Sequence, residues 1–258
     1  METNKSISFI GGGRVTKIFL QAFLNKSLKF KSIVVFDTNM DVIDALKKQF
    51  PNIQIANDVK QAANQDIVFI ALHPPVIMET LENIKEEISE KTLVISLAPK
   101  ISVEKIKGKL GIKNIARMIP NATSFINKGY NPICFSNDFQ SNEKKILLDI
   151  INPLGNTFEV EESKLEAYAI ISAMLPTYFW FQWQELQKIG LNIGLNEQES
   201  KETIKETLKA AIDIFYDSEL NQEQVIDLIP VKPIGEHEDS IKELLNNKLI
   251  SLFEKIKP

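Results

Sequence analysis

The sequence contains a single cysteine, Cys134, and only two histidines, His73 and His237. One cysteine cannot form an intramolecular disulfide, and so few Cys and His residues leave no cluster with the spacing of metal ligands. We therefore expect no bound metal and a cytoplasmic protein. Redox chemistry, if the protein performs any, would have to come from an organic cofactor.

Long hydrophobic runs and an excess of positive charge are also absent. No apolar stretch approaches the ~18 residues of a membrane span, and the first residues lead into a strand without the core of a signal peptide. The 30 Lys and Arg residues are outnumbered by 34 Asp and Glu residues, so no cationic excess is available for nucleic acid or an anionic membrane. We expect a soluble, unprocessed protein whose ligand is a small molecule, with no nucleic-acid or membrane partner.

What the sequence does contain is an alternation of short apolar runs and amphipathic segments up to about residue 160. The runs are nearly continuously hydrophobic, which is typical of strands buried on both faces of a mostly parallel sheet. The predicted strands are Ser6–Gly11, Ser32–Asp37, Asp66–Ala71, Thr92–Leu97, Asn114–Ile119, Ile133–Ser136 and Thr157–Val160.

After residue 160 the strand signal disappears and four helices are predicted. They are Lys164–Ile189, Asn196–Asp217 with a capping box at Asn196 and Glu199, Gln222–Ile229 and Asp239–Lys255. The pattern predicts an α/β protein: a Rossmann-type, doubly wound, mostly parallel sheet in residues 1–160, followed by an all-helical carboxyl-terminal domain in residues 161–258.

A glycine-rich turn lies between the first strand and the first helix. Gly11 permits a tight turn, Gly13 lets the backbone approach a ligand closely, and the helix N-terminus offers free N–H groups to a pyrophosphate. Thr16 replaces the usual third small residue of this pattern. The turn predicts dinucleotide binding by Ile10, Gly11, Gly12, Gly13, Arg14 and Val15.

Asp37 ends the second predicted strand, 26 positions after Gly11. A carboxylate there can accept hydrogen bonds from the adenosine ribose hydroxyls, which favours NAD(H). Two alternatives stay open: Asp37 could cap the helix that begins near Met40, and Arg14 could reach the 2′-phosphate of NADP(H).

A histidine follows the strand that ends in Ala71-Leu72-His73-Pro74. Loops at the carboxyl ends of parallel strands carry the ligands of such sheets, so Ala71, His73 and Pro74 are predicted to face the cofactor. His73 could donate a proton, or it could be a loop imidazole that makes ordinary backbone hydrogen bonds.

Four stretches in this order resemble the pyrroline-5-carboxylate reductase family over nearly the whole chain. They are Phe9-Ile10-Gly11-Gly12-Gly13; Ala71-Leu72-His73-Pro74, in which His73 replaces the usual Lys; Arg117-Met118-Ile119-Pro120-Asn121-Ala122, followed by Gly129; and Glu162, which precedes Pro176 by fourteen residues. The third stretch is the most specific.

The resemblance implies hydride transfer from NAD(P)H to a cyclic imine, and a helical domain that binds substrate and intertwines in a homodimer. By the same resemblance, Gly11 to Val15 would cradle the pyrophosphate and Asp37 would meet the adenosine ribose. The nicotinamide would be lined by His73, Pro74, Pro120 and Asn121. For Asn121, a purely structural role in its loop stays open.

The substrate half departs from the family pattern. Bulky residues precede Pro176, and Lys232-Pro233-Ile234-Gly235-Glu236-His237 stands where the family has Ser-Pro-Gly-Gly-Thr-Thr. Pro176, Lys232 and Glu236 are therefore the candidate substrate contacts. Because Glu236 would repel a carboxylate, the substrate could instead be a different small imine, a keto acid or a hydroxy acid.

His237 is the candidate proton donor, since imine reduction places a proton on nitrogen. The alternative is a solvated residue at a helix start, beside Glu236 and Glu238. The aromatic run Tyr178–Trp183 predicts a buried helix in the core or at a dimer interface, or else a substrate wall. A non-catalytic NAD(P)-binding sensor or interaction protein is the alternative function.

Overall fold

The computed structural model describes residues 2–258, which form two compact units. The sheet unit comprises residues 2–173 and 252–258, and the helical unit comprises residues 174–251. We expected the division at 160/161. The compact units divide thirteen residues later because Leu165, Ala169 and Ile170 are buried in the hydrophobic core of the sheet unit. The assignment of cofactor and substrate domains stays a prediction.

The sheet has eight strands in the order β3-β2-β1-β4-β5-β6-β7-β8. Strands β1 to β6 are parallel, β7 is antiparallel to β6, and β8 is parallel to β7. The order of the first six is that of the Rossmann fold, which confirms the predicted fold class. The strands are β1 Ser6–Ile10, β2 Ser32–Phe36, β3 Gln54–Ile55, β4 Ile67–Ile70, β5 Leu93–Ser96, β6 Ile115–Met118, β7 Gly129–Phe135 and β8 Gly155–Glu159.

Two features of the sheet were not predicted. The two-residue strand β3 is too short to leave a periodic pattern in the sequence. Strand β7 begins at Gly129, four residues before the predicted start at Ile133. Its first part contains Asn131 and Pro132, which disfavour a strand when the sequence is considered alone.

Helices cover both faces of the sheet. Along β1 the side chains alternate, so that Phe9 packs in one hydrophobic cluster and Ile10 in the other. The Phe9 cluster includes Phe19 of α1, and the Ile10 cluster includes Ile77 of α4. The helices of this unit are α1 Arg14–Asn25, α2 Met40–Gln49, α3 Val59–Ala63, α4 Pro74–Ile84, α5 Val103–Leu110, α6 Ser141–Ile151 and α7 Leu165–Tyr168.

The predicted continuous helix Lys164–Ile189 is wrong. Helix α7 ends at Tyr168, a π-helical turn covers Ala169–Ala173, and a 3-10 turn covers Leu175–Tyr178 before α8 begins at Trp180. Pro176 explains the break, because its ring removes a backbone donor and clashes with the preceding turn. The other helices are α8 Trp180–Asn192, α9 Glu197–Asp217, α10 Gln222–Asp227 and α11 Glu238–Ile256.

The predicted capping box before α9 is confirmed. The Glu199 N–H donates to the Asn196 side chain (2.9 Å), and the Asn196 N–H donates to the Glu199 carboxylate (2.8 Å). These two bonds satisfy donors that the first helical turn would otherwise leave free.

The helical unit buries very little within one protomer. Of residues 174–251, only Gly190 and Ser200 are buried. The predicted aromatic helix is exposed as well, with Phe181 64% and Trp180 48% exposed. Within residues 2–258 the structure has no helix that combines the length and the apolar character needed to cross a bilayer.

Candidate cofactor and substrate site

Gly11 occupies a position that only glycine can fill. Its φ angle is +108°, and a Cβ atom there would lie 2.4 Å from the carbonyl oxygen of Ala71. The Thr16 hydroxyl donates to the Gly11 carbonyl oxygen at 2.5 Å, so the departure at Thr16 is accommodated by a hydrogen bond. The turn therefore holds β1, α1 and the end of β4 close together.

Gly13 is glycine for a different reason. It is the N-cap of α1, no side chain caps the helix there, and a Cβ atom would meet nothing within 4 Å. The first turn has no acidic residue, and Arg14 at its start is exposed. The helix therefore presents open N–H groups and a positive dipole end, which suits a phosphate.

Asp37 lies directly against the glycine turn. Its Oδ2 accepts from the Gly12 N–H at 2.7 Å and its Oδ1 from the Asn39 N–H at 2.9 Å. The alternative role for Asp37, capping α2, is wrong, because Asn39 is the N-cap and accepts from the Asp41 N–H at 3.0 Å. The carboxylate is thus fixed at the carboxyl end of β2.

A cavity of about 320 Å³ opens beside this carboxylate. Its walls come from the carboxyl ends of β1 and β2 and from α4, and they are mainly apolar with a few polar groups: Ile10, Phe36, Asp37, Thr38, Val59, Leu72, Val76, Glu79, Thr80 and Asn83. Such walls suit an adenosine. The glycine turn, the open helix end and the cavity together fit a dinucleotide.

His73 and Pro74 form the start of α4. His73 is the N-cap but its side chain makes no capping bond, and Pro74 is the first helical residue. The alternative of an imidazole bonded to the backbone is wrong, because within residues 2–258 the exposed His73 side chain has no hydrogen-bond partner. Two consecutive prolines fix the backbone that carries it.

A buried ion-pair network lies beneath the end of β6. Arg117 has no exposed surface, and its guanidinium binds Glu162 at 2.7 Å and Glu166 at 2.5 Å. Burial opposes the charge, but the two carboxylates outweigh it and raise the pKa of Arg117. Glu166 could not be identified from the sequence, because its partner Arg117 is 49 residues away along the chain.

Asn121 follows β6 and holds its own loop together. Its Oδ1 accepts from the Thr123 N–H (2.9 Å), and its Nδ2 donates to the Ser172 carbonyl oxygen (3.2 Å). The structural role left open from the sequence is therefore present. Pro120, beside it, is half-buried, and contact of either residue with nicotinamide stays a prediction.

The candidate substrate residues lie in the helical unit. Pro176 is in the 3-10 turn Leu175–Tyr178. The Lys232 ammonium lies 3.9 Å from Glu238, and His237 Nε2 lies 3.4 Å from Glu236. The structure thus brings Lys232, Glu236 and His237 into one exposed segment, in which Lys232 lies near Glu238 and His237 lies near Glu236.

Comparisons with known proteins agree with the geometry. Residues 6–100 match a protein family described as NADP oxidoreductase, coenzyme F420-dependent. The pyrroline-5-carboxylate reductase of Haemophilus influenzae is 26% identical over 74% of this chain and 71% of its own length. That of Staphylococcus saprophyticus is 26% identical over 95% of this chain and 92% of its own length.

Solved structures give the same result for the fold. The pyrroline carboxylate reductase of Plasmodium falciparum, solved with NADP bound, has a TM-score of 0.84 and 23% identity and covers 100% of this chain and 98% of its own. That of Coxiella burnetii has a TM-score of 0.69 and 25% identity over 98% of this chain and 95% of its own. In sequence and in fold the chain is similar to the pyrroline-5-carboxylate reductases. It is an oxidoreductase that uses a nicotinamide cofactor.

The similarity to oxidoreductases includes the glycine turn, whose contact with a cofactor stays a prediction. It does not place the substrate residues, because the segment at residues 232–237 is where this chain departs from the family motif. No group of three or more His, Cys, Asp or Glu side chains within residues 2–258 could hold a metal ion.

Proposed function

We propose that the chain reduces a small cyclic imine of the pyrroline-5-carboxylate class with NADH or NADPH. The observation that carries the proposal is the paired geometry at Gly11 and Gly13: a turn that excludes any side chain, followed by a helix end with open space in front of it. When bound, the cofactor supplies a hydride to the imine carbon.

The residues of the sheet unit would bind and orient the cofactor. The pyrophosphate would lie against the turn from Ile10 to Val15 and accept hydrogen bonds from the open N–H groups at the start of α1. The nicotinamide would lie at the carboxyl edge of the sheet, between the loops after β4 and β6. The residues of those loops are Ala71, His73, Pro74, Pro120 and Asn121.

Gly13 is the position for a direct test of cofactor binding. In the Gly13→Leu variant the new Cβ atom meets no atom within 4 Å, so we expect the fold to be preserved while the side chain fills the phosphate space. Titration of intrinsic fluorescence with NADH and NADPH should show loss of binding, with an unchanged unfolding midpoint. Retained affinity would show that the cofactor binds elsewhere.

Cofactor preference is proposed to be NAD(H) over NADP(H). The Asp37 carboxylate, fixed by the Gly12 and Asn39 N–H groups, would accept from the ribose hydroxyls and repel a 2′-phosphate. The Asp37→Ser variant should lose NADH affinity and gain NADPH affinity, with Arg14 left to meet the phosphate. A wild-type preference for NADPH would contradict this assignment.

His237 is proposed to deliver the proton that the imine nitrogen takes up, with Pro176, Lys232 and Glu236 as substrate contacts. An imidazole can both donate and accept a proton, which suits proton transfer in either direction. The His237→Asn variant should lose turnover while keeping cofactor affinity. Unchanged rate and pH profile would remove His237 from the mechanism.

We propose a homodimer through the helical unit. Large apolar side chains of α8, α9 and α11 are exposed within one protomer, among them Phe181, Ile212 and Leu244. Monomeric proteins rarely leave so much apolar surface in water. Sedimentation equilibrium should give twice the mass of the chain, and a monomer at micromolar concentration would contradict the proposal.

The compartment we propose is the cytoplasm. Cys134 is a free thiol with 3% exposure, and burial raises its pKa to about 12. A neutral, inaccessible thiol needs no oxidising compartment and gains nothing from one. Cell fractionation with an antibody to the protein tests the location.

The alternative is a sensor that binds NAD(P) without turnover. The paired Glu236 and His237 in place of the family threonines favour it, whereas the similarity to reductases along the chain does not. Cofactor binding without NAD(P)H oxidation, across a panel of cyclic imines and keto acids, would establish the sensor. Turnover of any of them would exclude it.

A further inference from the structure

Lys100 has a backbone conformation that is unusual for its residue type. Its φ angle is +77°. The other residues of the described chain with positive φ, glycines aside, are Ser27 and Asn127, which are small and polar. A left-handed conformation costs a long side chain such as lysine free energy, and it persists only where the surroundings impose it.

The buried ion-pair network imposes this conformation. The Lys100 N–H donates to Glu166 Oε1 at 3.3 Å, and that same oxygen binds the Arg117 guanidinium. Glu166 is only 2% exposed. The network beneath the sheet edge therefore holds the Lys100 backbone, and strain maintained in this way is often found at ligand sites.

The loop that carries Lys100 lies at the candidate reaction edge. Lys100 follows β5, and β5 lies between β4 and β6 in a parallel part of the sheet. The carboxyl ends of these strands share one edge. Lys100 therefore lies between the loop with His73 and the loop with Asn121, where the nicotinamide is proposed to bind.

A cavity of about 540 Å³ brings Lys100 together with a second lysine, Lys255. The rest of the lining is apolar and stiff: Pro74, Pro75, Pro99, Ile101 and Ile256. Neither ammonium group has a carboxylate within 4.0 Å anywhere in residues 2–258. Two uncompensated positive charges thus face a mostly apolar space.

We propose that the Lys100–Lys255 cavity binds the carboxylate of the imine substrate, an inference that rests on the function proposed above. A carboxylate would supply the counter-charge that both lysines lack, and the prolines would pack against a small ring. Lys232 is less suited to hold the carboxylate, because Glu238 already pairs with it. The substrate class is therefore an anionic cyclic imine.

Two substrates that differ only by the carboxylate test the proposal: pyrroline-5-carboxylate and 1-pyrroline. In Lys100→Met, KM for pyrroline-5-carboxylate should rise by about 10-fold to 100-fold, as expected for a lost charge-assisted hydrogen bond, while KM for 1-pyrroline should not change. Lys100→Arg should restore most of the affinity. Equal changes for both substrates would overturn the proposal.

Two further variants separate recognition from folding. Lys100→Gly relieves the backbone strain, so it should keep or raise the unfolding midpoint and still lose the selectivity for the carboxylate. Lys105→Met removes an exposed lysine of α5 outside the cavity and should change neither KM. A loss of selectivity in Lys105→Met equal to that in Lys100→Met would show an effect of net charge and overturn the proposal.

Inactivity of the protein on both imines would contradict the proposed function but would not test the anion site. A binding measurement tests that site independently of activity. Lysines of the full chain would be carbon-13 dimethylated, and the signals of Lys100 and Lys255 assigned from their Arg variants. Titration with acetate should shift these two signals and not that of Lys105. Absence of a selective shift would overturn the anion site whatever the activity.

Discussion

The sheet unit and the helical unit solve the problem of apolar burial in opposite ways. The fully buried apolar residues of the described chain all lie between Ile7 and Ile170. In residues 174–251 the structure buries only Gly190 and Ser200. The sheet unit therefore has a core of its own, whereas the helical unit leaves its large apolar side chains exposed, and the two units should respond differently to the same kind of mutation.

The largest contrast is expected between two glycines with close neighbours. At Gly11 a Cβ atom would lie 2.4 Å from the Ala71 backbone and φ is +108°, so Gly11→Ala should lower the free energy of unfolding by about 4 kcal/mol. At Gly190 the closest atom is the Ser200 Oγ, which belongs to a side chain that can rotate. Gly190→Ala should therefore cost less.

Chemical denaturation followed by circular dichroism measures both variants, with Gly13→Ala as the control that meets no atom. Equal costs at Gly11 and Gly190 would mean that the glycine turn is less constrained than its geometry indicates.

The next contrast concerns ion pairs. Arg117→Met leaves the buried Glu166 without its partner and should cost about 3 kcal/mol. Lys209→Met breaks an exposed pair with Glu206 on α9 and should cost much less, because water screens such a pair. Urea unfolding curves compare the two. A similar small cost for both would show that the network beneath β6 is dispensable.

A smaller effect, about 2 kcal/mol of dimer stability, is expected when a charge is placed on the helical unit. Phe181 is 64% exposed in the protomer, so Phe181→Glu should dissociate the dimer while the sheet unit keeps its unfolding midpoint. Met40 is 61% exposed on the sheet unit, and Met40→Glu should change neither mass nor stability. Sedimentation velocity measures both. Dissociation by Met40→Glu would place the interface on the sheet unit.

The smallest effect is a pH dependence confined to the sheet unit. Burial raises the pKa of Cys134 to about 12 from a usual value of 9.0. Above pH 9 the unfolded chain releases this proton while the folded chain keeps it, so stability should fall as the pH rises from 9 towards 12. Between pH 8 and pH 10 the loss should be about 1.5 kcal/mol.

The Cys134→Ala variant is the control for this titration, because it lacks the thiol but keeps the lysines and tyrosines. Its stability should be less dependent on pH over the same window, as measured by urea unfolding at each pH. Identical slopes for the variant and the wild-type protein would mean that the thiol does not contribute.

The contrast between the units also explains what could be predicted from the sequence. Strands such as β1 and β4 are buried on both faces, so continuous apolar runs mark them, and the glycine turn follows β1 directly along the chain. The prediction of one continuous helix at Lys164–Ile189 was wrong. The segment has a strong helical pattern, but Pro176 breaks the helix.

The site residues that escaped prediction depend on contacts distant in sequence. Glu166 binds Arg117 across 49 residues of sequence, and the Lys100 N–H binds Glu166 across 66. Contacts between residues so far apart leave no local pattern in the sequence. Asp37 could be placed at the cofactor turn, but only the structure shows that Asn39 takes over the cap of α2.

The most direct test of the account is the oxidation of NADH by the full chain with pyrroline-5-carboxylate or 1-pyrroline, measured in parallel for the wild-type protein and Gly13→Leu. The account predicts that the wild-type protein oxidises NADH with at least one of the two imines. It also predicts that Gly13→Leu, folded to the same unfolding midpoint, does not. Undiminished oxidation by Gly13→Leu, or none by the wild-type protein with NADH or NADPH, would contradict it.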